Sequence, residues 1–175
     1  AAEFPNGAAC RDPTEGYSWA QLDAVTDRLA GNLVDMGLAR DATALIQMPS
    51  CCREIILRIG FKKAGIIGAF APMQWRRKEL DYAAARISPS LIVMTRDITD
   101  FGETAWLDGA FENIPNLSHR IDLADGSSDS WLRWADLLKR TPSDSALERL
   151  GQRRFKFDEV SLITVSSGTS GIAKL

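Results

Sequence analysis

Three short apolar runs alternate with two helical patterns between residues 43 and 94, and this alternation constrains the fold more than any other feature. Residues 43–48, 66–71 and 91–94 have the dense apolar character of buried strands. Each pair of runs is separated by one helix-length segment, so the strands must pair in parallel through right-handed crossovers. The sequence therefore predicts an α/β fold with a mostly parallel sheet flanked by helices.

Helix start and stop signals support this order of elements. Ser18 and Gln21 have the spacing of a capping box, and Gly37 stands where a first helix would end. Ser50 is a candidate N-cap for a second helix that Gly65 would close. The periodicity predicts helices over residues 18–36, 50–64, 78–87 and about 130–140. Residues 1–16 are predicted to be an irregular lead-in, and four aromatic side chains of the less regular region 97–157 are predicted to pack in a core: Trp106, Phe111, Trp131 and Trp134.

Composition excludes several classes of function. The chain has 21 Lys and Arg against 23 Asp and Glu, a net charge of −2, so no electrostatic argument favours nucleic acid or an anionic membrane. Its 3 cysteines lack the spacing of metal ligands or of a disulfide framework, which predicts a cytoplasmic location. His119 is the single histidine and is predicted to lie at the surface. No run approaches the ~18 apolar residues of a membrane span. The chain lacks an initiator Met and a secretory signal, and both ends are interpreted as cuts.

The last fifteen residues combine an apolar run with a loop suited to phosphate. Val160, Leu162, Ile163 and Val165 have the pattern of a buried strand, and two glycines and four hydroxyls follow. Such a loop can turn backbone N–H groups and hydroxyls toward an anion, and a lysine can add a point charge. The candidate phosphate-binding residues are Ser166, Ser167, Gly168, Thr169, Ser170, Gly171 and Lys174. The alternative is a flexible Ser/Gly surface loop or linker.

The spacing of the residues in this segment distinguishes between two known phosphate-binding motifs. It is not a Walker A loop, because only two residues separate Gly168 from Gly171 and no Gly-Lys-Ser/Thr follows. Residues 166–174, S-S-G-T-S-G-I-A-K, instead resemble the signature T-S-G-T-T-G-x-P-K of the adenylate-forming enzymes, which include acyl- and aryl-CoA synthetases, luciferases and peptide-synthetase adenylation domains. Ala173 stands in the place of the signature's proline, so the fixed φ that a proline ring imposes is absent at this position.

The resemblance extends upstream in the expected order. Residues 17–23, Y-S-W-A-Q-L-D, resemble the family's Y-T-Y-x-E-L, and residues 44–50 resemble its V-A-L-x-L-P-N strand and turn. Residues 61–72 resemble its K-A-G and V-P elements, and residues 80–93 its E-L-x-Y and A-K-x-L-I patterns. This resemblance implies that residues 1–175 are the N-terminal portion of an AMP-binding domain, part of the large N-terminal domain of such an enzyme.

The resemblance also implies an activity for the full-length protein. It implies an AMP-forming ligase that activates a fatty or aromatic acid as an acyl-adenylate with ATP and Mg²⁺, then transfers the acyl group to a thiol, with coenzyme A as co-substrate. The residues of the signature segment would hold the phosphates that leave as pyrophosphate. The metal-binding glutamate, the acid pocket and the catalytic lysine of the family lie downstream, so no catalytic residue is assigned here and this chain alone is expected to be inactive.

Two alternatives remain open at the level of the sequence. Peptide-synthetase adenylation domains carry D-P-x-Y-P after the V-P strand, and residues 71–80, A-P-M-Q-W-R-R-K-E-L, lack it. This absence favours the CoA ligases. A non-catalytic nucleotide-binding domain is the second alternative, suggested by Ala173 in the place of proline.

Overall fold

The computed structural model describes residues 3–95, 111–124 and 130–164. Five helices and eight strands occur in these ranges. In chain order they are β1 (Ala8–Arg11), β2 (Gly16–Ser18), α1 (Trp19–Asp35), β3 (Thr43–Gln47), α2 (Cys52–Ala64), β4 (Ile67–Ala71), α3 (Arg77–Ile87), β5 (Leu91–Met94), β6 (His119–Asp122), β7 (Leu132–Arg133), α4 (Trp134–Lys139), α5 (Asp144–Arg153) and β8 (Leu162–Ile163).

Six of the strands form one sheet in the order β7-β6-β5-β3-β4-β8, and each neighbouring pair is parallel. The chain runs from β3 to β4 on one side, then crosses to β5 on the other side of β3. All six strands therefore end at the same edge, where α/β sheets place their ligands. The predicted α/β class with a mostly parallel sheet flanked by helices is confirmed.

The side chains of the strands alternate between two apolar clusters, one on each face of the sheet. Ala44, Ile46 and Val93 face the larger cluster, where α1, α2, α4 and α5 pack. Leu45 and Ile92 face a smaller cluster, which α3 covers with Leu80, Ala83 and Ala84. Because both faces are covered, the strands are nearly continuous apolar runs, which is why their positions could be read from the sequence.

Several helix termini match the predicted signals. The Ser18 Oγ accepts a hydrogen bond from the Gln21 N–H at 3.3 Å, and the Gln21 Oε1 accepts one from the Ser18 N–H at 2.8 Å, which completes the capping box. Gly37 and Gly65 adopt left-handed backbone angles after α1 and α2, as expected for C-terminal glycines. Phe111, Trp131 and Trp134 are buried in the two clusters, and Trp106 lies outside the described residues.

Other predictions at this level were wrong. Residues 8–18 form the antiparallel hairpin β1–β2 instead of an irregular lead-in. The N-cap of α2 is Cys51, one residue after Ser50. The predicted helix at 130–140 is reduced to α4, because Leu132 and Arg133 pair with β6 as strand β7. Neither β6 nor α5 was predicted, because polar residues on their exposed faces weaken the apolar periodicity by which strands and helices are recognised.

No helix of the described ranges combines the length and the apolar character that a membrane crossing requires. His119, predicted at the surface, is half-buried in β6, and its Nε2 lies 2.9 Å from the carbonyl oxygen of Met36.

Candidate functional site

The signature segment, residues 166–174, follows β8 in the sequence, and β8 ends at the carboxyl edge of the sheet. The seven predicted site residues lie outside the described residues, whose last range ends at Thr164. They are Ser166, Ser167, Gly168, Thr169, Ser170, Gly171 and Lys174. The elements that lead to this segment, and the loops that follow β3, β4 and β5 at the carboxyl edge, lie within the described residues.

Strand β8 pairs in parallel with β4, with Leu162 opposite Gly68 and Ile163 opposite Ala69. This pairing confirms that the chain reaches the signature segment from a parallel strand running in the common direction. The prediction of a buried strand was wrong within the part that is described. Val160 is 63% exposed and Leu162 is 39% exposed, because β8 is the last strand of the described sheet.

A half-buried arginine attaches the segment before β8 to the body of the domain. Arg153 donates from Nε to the Ala64 carbonyl at 2.6 Å and from a terminal nitrogen to the Leu38 carbonyl at 2.7 Å. Partial burial lowers the pKa of this guanidinium. Its hydrogen bonds give partners to two carbonyls near the C-terminal ends of α1 and α2, where the helix itself supplies no N–H donor. Nearby, Arg40 pairs with Glu159 at 2.5 Å and lies over the Phe155 ring, 5.2 Å from its centroid.

Gly65, the C-cap of α2, packs closely against Arg153. Its φ is +69°, and a β-carbon placed on it would lie 2.5 Å from the Arg153 carbonyl oxygen. The position therefore requires glycine both for its backbone angle and for the space beside it. The backbone N–H of Asp41 also donates to the Gly65 carbonyl at 2.8 Å.

The loop after β4, residues 72–76, lies at the same edge and leads into α3. Gln47, the last residue of β3, donates from its buried side chain to the carbonyls of Pro72 and Trp75. The Glu79 carboxylate accepts the backbone N–H of Arg76 at 3.0 Å, and this bond is the main reason that the Glu79 pKa is lowered. An acidic residue in the first turn is also favoured by the helix dipole.

Asp12, in the turn of the hairpin, supplies the cap of α2 that Cys51 cannot provide. Its carboxylate accepts the Cys52 N–H at 2.8 Å, and its other oxygen accepts from the Thr14 and Glu15 backbones, each at 2.8 Å. These bonds, led by that from Cys52, hold the pKa of Asp12 well below its usual range. Asp12 was not predicted to have this role. The Asp-x-Thr pattern of residues 12–14 indicates a turn. It does not indicate which helix Asp12 caps, because that helix begins forty residues later in the sequence.

A cavity of about 300 Å³ lies between this hairpin and the ends of β3, β5 and β6. The charged side chains that line this cavity form hydrogen bonds and an ion pair with one another and with the backbone. Arg53 donates to the Leu123 carbonyl at 2.5 Å and lies 3.5 Å from Glu15, and both Asp12 oxygens accept the bonds described above. Burial raises the pKa of the adjacent Cys52 thiol to about 12, so this thiol stays protonated at neutral pH.

The described residues do not bring together three or more His, Cys, Asp or Glu side chains suited to a metal ion. No residue in those ranges is therefore assigned as a Mg²⁺ ligand.

The order of strands and the loops at one edge define the class as an open, parallel α/β sheet whose ligands bind at the carboxyl ends of its strands. The chain belongs to the family described as AMP-binding enzyme, whose model matches residues 1–175.

Relatives of similar sequence agree with this assignment. Pseudomonine synthase PmsE of Pseudomonas entomophila is 30% identical over 91% of this chain and 25% of its own length. The salicyl-AMP ligase / salicyl-S-ArCP synthetase of Mycobacterium tuberculosis is 26% identical over 91% of the chain and 27% of its own length. The 2-hydroxy-7-methoxy-5-methyl-1-naphthoate–CoA ligase of Streptomyces carzinostaticus is 21% identical over 100% of the chain and 32% of its own length.

Among solved structures, apo MbtA of Mycobacterium smegmatis superimposes with a TM-score of 0.79 at 21% identity, covering 99% of this chain and 31% of that one. At this identity the match shows the fold alone. The chain spans about a quarter to a third of the length of these relatives.

Proposed function

We propose that the full-length protein is an ATP-dependent, AMP-forming ligase that activates a carboxylic acid as an acyl-adenylate and transfers the acyl group to a thiol. The observation that carries this proposal is the family match over every residue of the chain, including the signature segment. In the same proposal, residues 1–175 are the N-terminal portion of the AMP-binding domain, and the acid pocket lies in the part of the protein that follows.

In the first step a carboxylate oxygen of the acid attacks the α-phosphorus of ATP. The bond between the α-phosphorus and the bridging oxygen breaks, and pyrophosphate leaves. Negative charge builds on that leaving group, and aligned N–H groups, hydroxyls and an ammonium stabilise it. We assign this role to the 168–171 backbone, to Thr169 and Ser170, and to Lys174. Mg²⁺ would neutralise further phosphate charge, with ligands partly outside this chain.

We propose an aromatic carboxylic acid as the substrate, in preference to a fatty acid. The printed names of two relatives support this choice, because one is a salicyl-AMP ligase and the other a hydroxynaphthoate–CoA ligase. Both acids carry a hydroxyl next to the carboxylate on an aromatic ring. The residues that would recognise such an acid belong to the part of the protein that follows this chain.

The acceptor is a thiol, and we propose coenzyme A. The absence of D-P-x-Y-P from residues 71–80 supports this choice, whereas one relative is named for an aryl carrier protein. In either case the thiolate attacks the acyl carbon, a thioester forms, and AMP leaves. A cytoplasmic location, where free thiols persist, stays a prediction from the cysteine pattern.

Exchange of labelled pyrophosphate into ATP by the full-length protein tests the activity. We expect exchange to depend on an added acid and to be fastest with salicylate and hydroxynaphthoates among a panel that includes long-chain fatty acids. No exchange with any acid would contradict the ligase and favour a non-catalytic nucleotide-binding domain, the alternative that Ala173 suggests. Thioester formation with coenzyme A or with a phosphopantetheinylated carrier protein then identifies the acceptor.

A further inference from the structure

Two cysteines that are distant in the sequence, Cys10 in β1 and Cys52 at the start of α2, lie beside each other where the hairpin packs on the helix. The Cys52 N–H donates to the Asp12 carboxylate at 2.8 Å, and the Cys52 thiol donates to the Glu15 carbonyl at 3.6 Å. Asp12 directly follows β1, and side chains two residues apart along an extended chain point to the same side, so Cys10 faces α2 as Asp12 does. The two thiols are hydrogen-bonded, and after burial this contact is the next cause of the raised pKa of Cys52.

The two thiols differ in their access to solvent. Cys10 is half-buried and lines an open groove of about 710 Å³ along the hairpin, whereas Cys52 is 1% exposed. Oxidation of a cysteine requires a thiol that is accessible and can ionise, and burial keeps Cys52 protonated. Cys10 is therefore the thiol that an oxidant in solution reaches first, and Cys52 is the partner held beside it.

We propose that Cys10 and Cys52 form a reversible oxidation site whose oxidant is a peroxide. With hydrogen peroxide, the Cys10 sulfur attacks one oxygen, the O–O bond breaks, and a water leaves with the thiol proton, so that Cys10 is oxidised to a sulfenic acid. The Cys52 sulfur then attacks the Cys10 sulfur, the S–O bond breaks, and the leaving hydroxide takes the Cys52 proton to form a second water. The product is a disulfide, which a thiol reduces again by exchange.

The contact between the two side chains favours the second step. A buried, protonated thiol is a weak nucleophile, but attack on a sulfur already beside it is intramolecular, which offsets the low acidity. The disulfide ties the hairpin covalently to the first residue of α2, where Asp12 already caps the helix. The backbone of residues 8–18 therefore opens less often in the oxidised protein.

The test treats the full-length protein with hydrogen peroxide and maps disulfides by mass spectrometry after tryptic digestion without reductant. Cys51 is the matched control, because it adjoins Cys52 but lines the cavity of about 300 Å³. Trypsin leaves both in one peptide, residues 41–53, and Cys10 in another, so variants identify the partner. We expect the cross-linked peptides in the wild type and in Cys51→Ser, at least about tenfold less of them in Cys52→Ser, and their loss on reduction with dithiothreitol.

Cross-linking that persists in Cys52→Ser or disappears in Cys51→Ser would overturn the inference, because Cys51 would then be the partner. No cross-link in the wild type would also overturn it. Cross-linking in Cys51→Ser identifies Cys52 without a second variant, so the test holds even if Cys52→Ser does not fold.

Two further measurements test the order of the steps and the effect on the hairpin. Dimedone, which labels sulfenic acids, should label Cys10 in peroxide-treated Cys52→Ser, and equally fast labelling of Cys52 in Cys10→Ser would contradict Cys10 as the first target. The backbone amides of residues 8–18 should exchange hydrogen more slowly in the oxidised wild type than after reduction, and equal exchange would contradict the covalent tie. None of these measurements depends on ligase activity, so their outcome is independent of the proposed function.

Discussion

At the scale of single residues, Gly65 gives the sharpest stability prediction. We expect Gly65→Ala to lower the free energy of unfolding by about 2 kcal/mol or more. Alanine is strained at the left-handed backbone angle, and its β-carbon would displace the Arg153 carbonyl. Gly37→Ala is the control, since φ is +84° there but nothing lies within 4 Å of a new β-carbon. It should cost only about 1 kcal/mol. Urea denaturation of both variants measures the difference, and equal losses would refute the close approach at Gly65.

Lys174 carries the residue-scale prediction for activity. Lys174→Ala in the full-length protein should slow adenylate formation by about a hundredfold, because the leaving pyrophosphate loses an ammonium partner, with a smaller effect on acid binding. Pre-steady-state measurement of acyl-AMP formation gives the rate. Lys156→Ala, which removes an exposed lysine before β8, is the control and should leave the rate unchanged. An unchanged rate in Lys174→Ala would remove the lysine from the proposed site.

At the scale of the element, α2 depends on a cap from outside its own sequence. Asp12→Asn should lower the stability of the protein at neutral pH, because the charged acceptor at the helix N-terminus is lost. Urea midpoints at pH 7 measure the loss. Asp158→Asn, at an exposed carboxylate that makes none of these bonds, is the control, and an equal loss there would show a nonspecific charge effect.

The pH dependence of stability follows from the same carboxylate. The folded state lowers the pKa of Asp12 below the unfolded value of about 3.9, so its stabilising contribution is fully present above pH ~5. That contribution is lost as the pH falls through 4 toward the folded pKa. Between pH 5 and 2, wild-type stability should therefore fall more steeply than that of Asp12→Asn. Parallel curves would show that Asp12 does not contribute through its charge.

The elements that the sequence predicted well are those whose signals are local. The capping box at Ser18, the glycine after α2 and the apolar runs of β3, β4 and β5 each depend on neighbours within a few residues. The cap of α2 by Asp12 and the tie from Gln47 to the 72–76 loop depend on contacts 40 and 25 or more residues apart. A single sequence without the fold carries no direct signal for such pairs.

At the scale of the whole molecule, the parallel class was predictable but the order of strands was not. A single helix between consecutive strands implies parallel crossovers, whereas the side of β3 on which β5 and β8 lie is set by how the helices cover both faces. The candidate site, too, could be predicted only in part. The motif could be found from residue types and spacing, but the pairing of β4 with β8, the strand that precedes the motif in the sequence, became evident only from the order of strands in the sheet.

In the proposed reaction, a carboxylate oxygen of the acid becomes bonded to the α-phosphorus of ATP. Labelling both carboxylate oxygens of salicylate with ¹⁸O tests this directly in the full-length protein with a thiol acceptor. When the thiolate takes the acyl group from the adenylate, the bridging oxygen remains with the nucleotide. Mass spectrometry should therefore find one ¹⁸O in the AMP released at each turnover. Turnover that places ¹⁸O in inorganic phosphate, with ADP as the nucleotide product, would contradict the account.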